Sequence, residues 1–349
     1  MPETLQQPSS TPHLPRYKRA GSHTFPLRVQ PRDLALLKLV SELPYCDAKQ
    51  LSRLLPVGTI NAQLHAYHDR RREERVRTDN GLGNVPVIRR VIRRRLQKLF
   101  HGGYMQRHKV TDNAPILYTI AMPAVDLLAA HYDLDAAALA RSARSRDPGD
   151  KYLEHARMRT TFRYSLAVGL PASPDAAIAF WYKDGSVKIP VAYHMPDGKI
   201  VQETVIPDDF IGIRWHGVVE PFFVETDKRK DYPRVRKKFL AYLHLWRQIV
   251  QREKAQGHQR SVPVIRQARP PVATIAGQPV RNVRVLWIAK GPERAAGLRR
   301  LARELDSPQE KASGLFWFTD ESQYLDAPER VCEAIWQKAR NDTWRPLLA

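Results

Sequence analysis

The stretch from Ile206 to Trp246 constrains the fold of this 349-residue chain more than any other. It contains an unbroken apolar run, Phe222 to Val224, which is typical of a strand buried on both faces of a sheet. Glu225 and Asp227 follow this run, and alternation along a strand puts both side chains on the same face. A basic segment with helical spacing comes directly afterwards. We therefore expect a buried strand that ends in carboxylates beside a basic helix.

Acidic side chains at such a strand end predict a metal site. Asp208 opens the preceding strand and can supply a third carboxylate beside Glu225 and Asp227. Three converging carboxylates suit Mg²⁺ or Mn²⁺, which would polarise a phosphodiester, and Lys237 or Lys238 would add positive charge for the transition state. The alternative is that these carboxylates are solvated residues at the rim of the sheet, or helix caps.

The charge of the chain predicts a polyanionic partner. Lys and Arg number 57 against 36 Asp and Glu, a net charge of +21, which favours nucleic acid over an anionic membrane. No stretch approaches the roughly 18 apolar residues of a spanning helix, and residues 1–27 lack the apolar segment of a secretory signal. Only Cys46 and Cys332 are present, which argues against a disulfide framework and fits a reducing cytoplasm.

Residues 28–140 predict a winged helix-turn-helix domain that binds double-stranded DNA. Two short apolar helices come first, the second at Ala48–Leu55 and capped by Asp47, and an Arg-rich insertion at 57–84 follows. Val85–Phe100 is the predicted recognition helix, and a hairpin after it is the predicted wing. The predicted DNA-binding residues are Arg89, Arg90, Arg93, Arg94 and Arg95 on the helix and Arg107 and Lys109 on the wing.

The rest of the chain predicts a tail, a linker and a second α/β (α+β) domain. Residues 1–27 are expected to form a disordered basic tail, and residues 141–150 a linker. In the second domain, 151–349, turn sequences predict hairpins joining strands 176–182, 187–194 and 199–206. A later strand–helix–strand order predicts a mixed sheet. A single helix is expected at Ala121–Leu139, and another at Pro328–Ala339.

The order of these features resembles the replication-relaxation family of plasmid and mobile-element proteins. The resemblance rests on the predicted winged helix, a helix with Glu154–His155, then Asp208, the segment Glu225–Lys228, and a helix with Lys238 and Tyr242. It implies a winged helix-turn-helix fused to a restriction-endonuclease-like core of the PD-(D/E)xK type. Some relatives of this architecture are relaxases that nick plasmid DNA. The implied setting is the bacterial cytoplasm, with a plasmid origin region as DNA partner and a homodimer or replication and mobilisation proteins as possible protein partners.

Carried over by position, the resemblance makes Asp208 the first acid of the nuclease motif and Glu225 the second. The motif lysine does not match, because Asp227 stands where that lysine belongs. Either a lysine has moved to the following helix, with Lys238 favoured over Lys237, or the core has lost catalysis and kept a DNA-binding shape.

Tyr242, one turn beyond Lys238, would share its helix face and supply a supporting hydroxyl or, less readily, a nucleophile. A tyrosine at that spacing is more often a packing residue. Two hypotheses follow for the chain. It is a metal-dependent DNA nickase of plasmid replication or mobilisation, or a non-catalytic DNA-binding regulator with a degenerate nuclease-like domain.

Overall fold

The computed structural model describes most of the chain, in two compact units, Met1–Leu153 and Glu154–Ala349. The described residues are 27–55, 85–143, 150–172, 175–183, 186–194, 200–228, 231–258, 274–275, 278–279, 284–305 and 314–348. The predicted Arg-rich insertion and residues 1–26 of the predicted tail lie outside them, as do residues 144–149 of the predicted linker. The remaining residues of that linker, at both ends, belong to helices.

In its described residues, the first unit packs five helices around a small antiparallel sheet of strand order β1-β3-β2. Asp47 starts α2 because its carboxylate accepts hydrogen bonds from the N–H groups of Lys49 and Gln50, while the Gln50 side chain accepts one from the Asp47 N–H. The elements are α1 Pro31–Glu42, β1 Cys46–Asp47, α2 Ala48–Leu54, α3 Val85–His101, β2 Met105–His108, β3 Leu117–Ile120, α4 Met122–Tyr132 and α5 Ala136–Ala143.

Two expectations for this unit were wrong. The predicted helix Ala121–Leu139 is two helices, because Asp133 ends α4 in the left-handed region at φ 52°. On α3, the apolar spacing of the sequence predicts Val91 in the core, but Val91 is 37% exposed and Ile92 is buried instead. A helix face shifted by one residue changes which of its arginines face solvent.

The second unit is built on a seven-stranded sheet of order β14-β13-β12-β11-β8-β7-β4, in which β8, β11 and β12 are parallel neighbours. The mixed sheet and the α+β class were predicted and are confirmed. The elements are α6 Asp150–Gly169, β4 Ala177–Lys183, β5 Ile189–His194, β6 Ile200–Val205, β7 Asp209–Trp215, β8 Val218–Asp227, α7 Tyr232–His258, β9 Thr274–Ile275, β10 Gln278–Pro279, β11 Arg284–Ala289, α8 Pro292–Leu305, β12 Phe316–Asp320, β13 Trp336–Lys338 and β14 Asn341–Arg345.

Helices cover both faces of this sheet, so β8 is buried on both sides as its apolar run predicts. Phe223 packs on one face in a cluster with Phe239 of α7, and Phe222 packs on the other with Phe162 of α6. Both phenylalanines of β8 are at most 1% exposed. Alternate residues of β8 therefore face different helices.

The predicted hairpin between the first two strands of this unit was wrong. β4 pairs with β7, and among the described strands β5 pairs only with β6, in a separate two-stranded sheet. That small sheet lies on α7, where the Tyr193 ring stacks on His244 at 4.0 Å and Gln248 donates a hydrogen bond to the Ala192 carbonyl. Packing on α7 replaces the expected pairing with β4.

The expected final helix Pro328–Ala339 was also wrong. A short 3-10 helix at Pro328–Cys332 is followed by the antiparallel pair β13–β14, which extends the sheet. Arg299 and Arg303 of α8 hold the turn of this pair through Asp342. None of the helices in the described part of the chain combines the length and apolarity that a membrane crossing requires.

Candidate functional site

Antiparallel pairing of β7 with β8 brings Asp208 beside Glu225. The register sets Asp209 opposite Val224, and the Asp208 N–H donates to the Val224 carbonyl at 3.1 Å. The two strands are joined by a turn at His216 and Gly217, whose positive φ values of 46° and 78° are those of a tight hairpin turn. The predicted neighbourhood of these two carboxylates therefore follows from a strand pairing of fixed register.

Asp208 is held by residues on the α6 side of the sheet. Its Oδ2 accepts hydrogen bonds of 2.8 Å from both the backbone N–H and the hydroxyl of Thr226, and its Oδ1 lies 3.3 Å from His155 Nε2. Burial raises the pKa of Asp208, but the hydrogen bond from His155 and the positive charge of Lys238 outweigh it, so the pKa lies well below its usual value. Asp208 is therefore an ionised carboxylate.

Glu225 faces α7 and is 2% exposed. Its Oε1 accepts a hydrogen bond of 2.6 Å from the Tyr242 hydroxyl, and its Oε2 contacts the Lys238 ammonium. Burial raises the pKa of Glu225 to about 7, since the nearby negative charge of Asp208 works with burial against the attraction of Lys238. Burial and Glu225 raise the pKa of Tyr242 well above its usual value, so its hydroxyl stays protonated and donates.

Asp227 does not join the other two carboxylates, which corrects the expected three-carboxylate cluster. Its oxygens accept hydrogen bonds of 2.8 and 3.3 Å from the Arg294 guanidinium of α8, and both side chains are at most 10% exposed. Strand alternation does put Asp227 on the same face as Glu225, but its carboxylate is paired there with Arg294 of α8. Within the described ranges no group of three or more His, Cys, Asp or Glu side chains is arranged to hold a metal ion.

Asp208 and Glu225 are the two carboxylates of this site that could hold a divalent cation. Asp208 and Glu225 are close enough that the charge of one raises the pKa of the other, and relief of such repulsion is what an oxygen-liganded cation supplies. Lys238 now occupies one oxygen of Glu225, whereas Lys237 next to it is exposed. Lys238 of α7 thus contacts Glu225, while Asp227 stands at the position where the resemblance places a lysine.

Sequence reasoning missed the arginines that anchor this site. Arg159 of α6 donates a hydrogen bond of 2.7 Å to the Asp208 carbonyl and one of 3.0 Å to the Asp209 carboxylate. Arg163, one turn along, also binds Asp209, which is 1% exposed. The available signal was the four-residue spacing of two arginines on a helix that must be buried.

The predicted DNA-binding arginines of the first unit divide into two groups. Arg90, Arg93 and Arg94 are exposed on α3, and Arg89 is half-buried. Arg95 departs from the predicted face, because its guanidinium is paired with the fully buried carboxylate of Asp33 on α1. Arg95 therefore holds α3 against α1 and is not available to contact DNA.

A groove of about 890 Å³ lies beside the exposed arginines. At the predicted wing, the Arg107 guanidinium lies 4.3 Å from the ring centre of Phe100, and Lys109 is paired with Asp112 at 2.7 Å. The groove is lined from α2, α3 and the β2–β3 hairpin, with the basic side chains Lys49, Arg89, Arg93, Arg107 and Lys109. A concave basic surface of this kind is suited to a nucleic acid backbone.

A comparison with protein families finds a match. A family model described as Replication-relaxation matches residues 62–262, which is more than half of the chain. This range contains α3, the β2–β3 hairpin, Asp208, Glu225 and Lys238. No curated protein and no solved structure matches the chain.

Proposed function

The chain belongs to the replication-relaxation family, and from that premise we propose that it is a DNA-binding protein of plasmid or mobile-element replication or mobilisation that nicks DNA. The reaction would be metal-dependent hydrolysis of a phosphodiester at Asp208 and Glu225. The observation that carries this proposal is the contact between Lys238 of α7 and Glu225. With Asp208 it would form an acid–acid–lysine set at the ends of the neighbouring strands β7 and β8.

The second unit would bind the reacting phosphate through its own side chains. Asp208 and Glu225 would be the ligands of Mg²⁺ or Mn²⁺, which when bound polarises the phosphodiester and activates water. Lys238 would stabilise the negative charge that develops on the phosphate. Tyr242 would hold the orientation of Glu225 through its hydrogen bond, and Arg159 would fix the backbone of Asp208.

The first unit would bring double-stranded DNA to the protein. Its order of helices followed by the β2–β3 hairpin supports a winged helix-turn-helix, with α3 as the recognition helix. The exposed Arg90, Arg93 and Arg94 and the basic groove beside them would contact phosphates. Phosphate contacts fix position on the duplex but do not by themselves read sequence.

Nicking of supercoiled plasmid DNA that carries the cognate origin tests the proposal, with Mg²⁺ or Mn²⁺ present. We expect wild-type protein to convert supercoiled to open-circular DNA, and Lys238→Ala and Asp208→Asn to lose this activity by at least about a hundredfold, the usual loss when a group that stabilises transition-state charge is removed. Lys237→Ala is the matched control, since Lys237 is exposed and next in sequence. Its nicking should equal that of wild type at saturating protein.

A second candidate function is favoured by a specific observation. Both oxygens of Glu225 already accept hydrogen bonds from within the protein, so the buried carboxylate is satisfied without a cation. On this alternative the chain is a non-catalytic DNA-binding regulator of replication or transcription. Absence of metal-dependent nicking by the wild-type protein on cognate DNA, with binding retained, would establish the alternative and reject the nickase.

A further inference from the structure

Two lysines lie side by side at the carboxyl ends of the parallel strands β8 and β11. Ala289 is in register with Asp227, so Lys290 and Lys228 are the next residues of the two strands. The Lys290 N–H donates to the Asp227 carbonyl at 3.1 Å, which keeps the strands paired up to this point. In open α/β sheets, ligands bind outside the carboxyl ends of parallel strands.

Both lysines contact one carboxylate, that of Glu154 on α6. Lys228 Nζ lies 3.8 Å from Glu154 Oε2, and Lys290 contacts Oε1. The Glu154 side chain is 24% exposed and that of Lys290 is 52% exposed. Burial raises the pKa of Glu154, but the positive charges of Lys290 and Lys228 lower it by more, so the pKa lies below its usual value. The carboxylate is therefore ionised and lies between two ammonium groups.

This cluster lies next to the carboxylate site. His155, the residue after Glu154, is the one that reaches Asp208 and Thr226. On the other side Arg157, one turn further along α6, is bound at 2.8 and 2.9 Å by both oxygens of Glu321. A DNA strand whose reacting phosphate lay at Asp208 would therefore bring a neighbouring phosphate of its backbone to the two lysines.

We propose that Glu154 occupies the place of a DNA backbone phosphate between Lys228 and Lys290, and that the phosphate displaces it when DNA binds. Carboxylate and phosphate oxygens make the same charge-assisted hydrogen bonds to ammonium groups. The proposal rests on the proposed function, because it names the neighbouring phosphate of the same DNA strand. Glu154 then weakens DNA binding by competing for the lysines, whereas Lys290 strengthens it.

DNA binding by the full-length protein without divalent metal, measured over a range of salt concentrations, tests this proposal. Glu154→Gln removes the competing charge and keeps a polar side chain of the same size. We expect it to bind cognate DNA several-fold more tightly, with a salt slope steeper by about 1, the change for one added phosphate contact. Glu304→Gln is the matched control, since it makes the same change of charge at an exposed position near the end of α8.

Lys290→Gln should act in the opposite direction. It removes one of the two ammonium groups, so binding should weaken and the salt slope should become shallower by about 1. In the double variant Glu154→Gln/Lys290→Gln, the gain from the first change should be largely lost. Thermal unfolding of each variant checks that the second unit remains folded.

The outcomes separate this inference from the proposed function. If wild-type protein does not bind DNA, the proposed function fails. If wild type binds but Glu154→Gln binds no more tightly than Glu304→Gln, Glu154 is only a structural ion pair and the inference fails alone. An equal gain in both variants would reflect net charge and would also reject it.

Discussion

Glu225 is a buried carboxylate whose protonation depends on its surroundings. Burial raises its pKa to about 7 from an ordinary 4.5, so the folded protein holds this proton more tightly than the unfolded chain does. Its contribution to stability is therefore fully present below pH 4.5 and is lost as the pH rises through about 7.

We expect the free energy of unfolding of the metal-free protein to fall across this pH window. Glu225→Gln stays neutral at every pH and should not show that part of the fall. Urea denaturation of both proteins with a chelator, at pH values on either side of 7, measures the difference. Parallel pH profiles for wild type and variant would contradict the raised pKa.

Asp227 and Arg294 form a buried ion pair, which predicts that Asp227 stabilises the fold. Asp227→Asn leaves the guanidinium without its charge partner, which should lower the free energy of unfolding by about 3–5 kcal/mol. Nicking should persist at temperatures where the variant is folded, since Asp227 does not lie with Asp208 and Glu225. Loss of nicking by a fully folded Asp227→Asn protein would instead make Asp227 a metal ligand.

The sequence predicts part of this arrangement at the level of residues. Alternation along a strand assigns Glu225 and Asp227 to one face, and helical spacing assigns Lys238 and Tyr242 to one face of the next helix. It does not assign Asp227 a partner, because Arg294 lies 67 residues later on another helix. Which helix packs over each end of a strand depends on tertiary contacts, and local sequence patterns do not encode these contacts.

At the scale of the element, α3 carries a packing arginine, Arg95, next to an exposed one, Arg94, which we propose contacts DNA. Arg95→Met would leave Asp33 buried without its partner, so we expect a loss of about 3–5 kcal/mol in the free energy of unfolding. Arg94→Met should leave stability nearly unchanged and make the salt slope of DNA binding shallower by about 1. Denaturation and salt titration of both variants give four values. A reversed pattern would mean that Arg95, not Arg94, contacts DNA.

Local sequence patterns predict the helices and strands better than they predict which strands pair with each other. The apolar spacing and the Asp47 cap predict α2 almost to the residue, whereas a turn sequence after β4 wrongly predicts pairing with β5. The ring of Phe210 on β7 lies 5.1 Å from Phe180 and 6.1 Å from Tyr182 of β4. These long-range contacts decide the pairing, and a short turn sequence carries no information about them.

At the scale of the whole molecule, the net charge of +21 sets the expected behaviour towards DNA. The logarithm of the binding constant should fall linearly with the logarithm of salt concentration, with a slope of about −0.9 per phosphate contacted. Fluorescence anisotropy with duplex DNA at several salt concentrations measures this slope. An affinity that hardly changes with salt would contradict DNA binding through the basic surfaces of either unit.

The composition and order of elements predict the class of the whole molecule but not its C-terminal end. Mixed strands with intervening helices require a sheet covered on both faces, and the structure has one. Pro328–Ala339 was expected to be helical from its spacing alone, yet Trp336 is fully buried in a strand. Whether this segment forms a strand depends on its pairing with β12, which the local spacing does not encode.

The turn at His216 and Gly217 also restricts how this sequence can change in length. It lies one strand length, roughly 25 Å, from the carboxylates, and it is at the surface, where insertions are usually tolerated. Here, however, one added residue would have to be absorbed as a bulge, or it would shift β8 against β7 and turn Glu225 to the α6 face. Homologous chains that keep Asp208 and Glu225 should therefore vary little in length at this exposed loop.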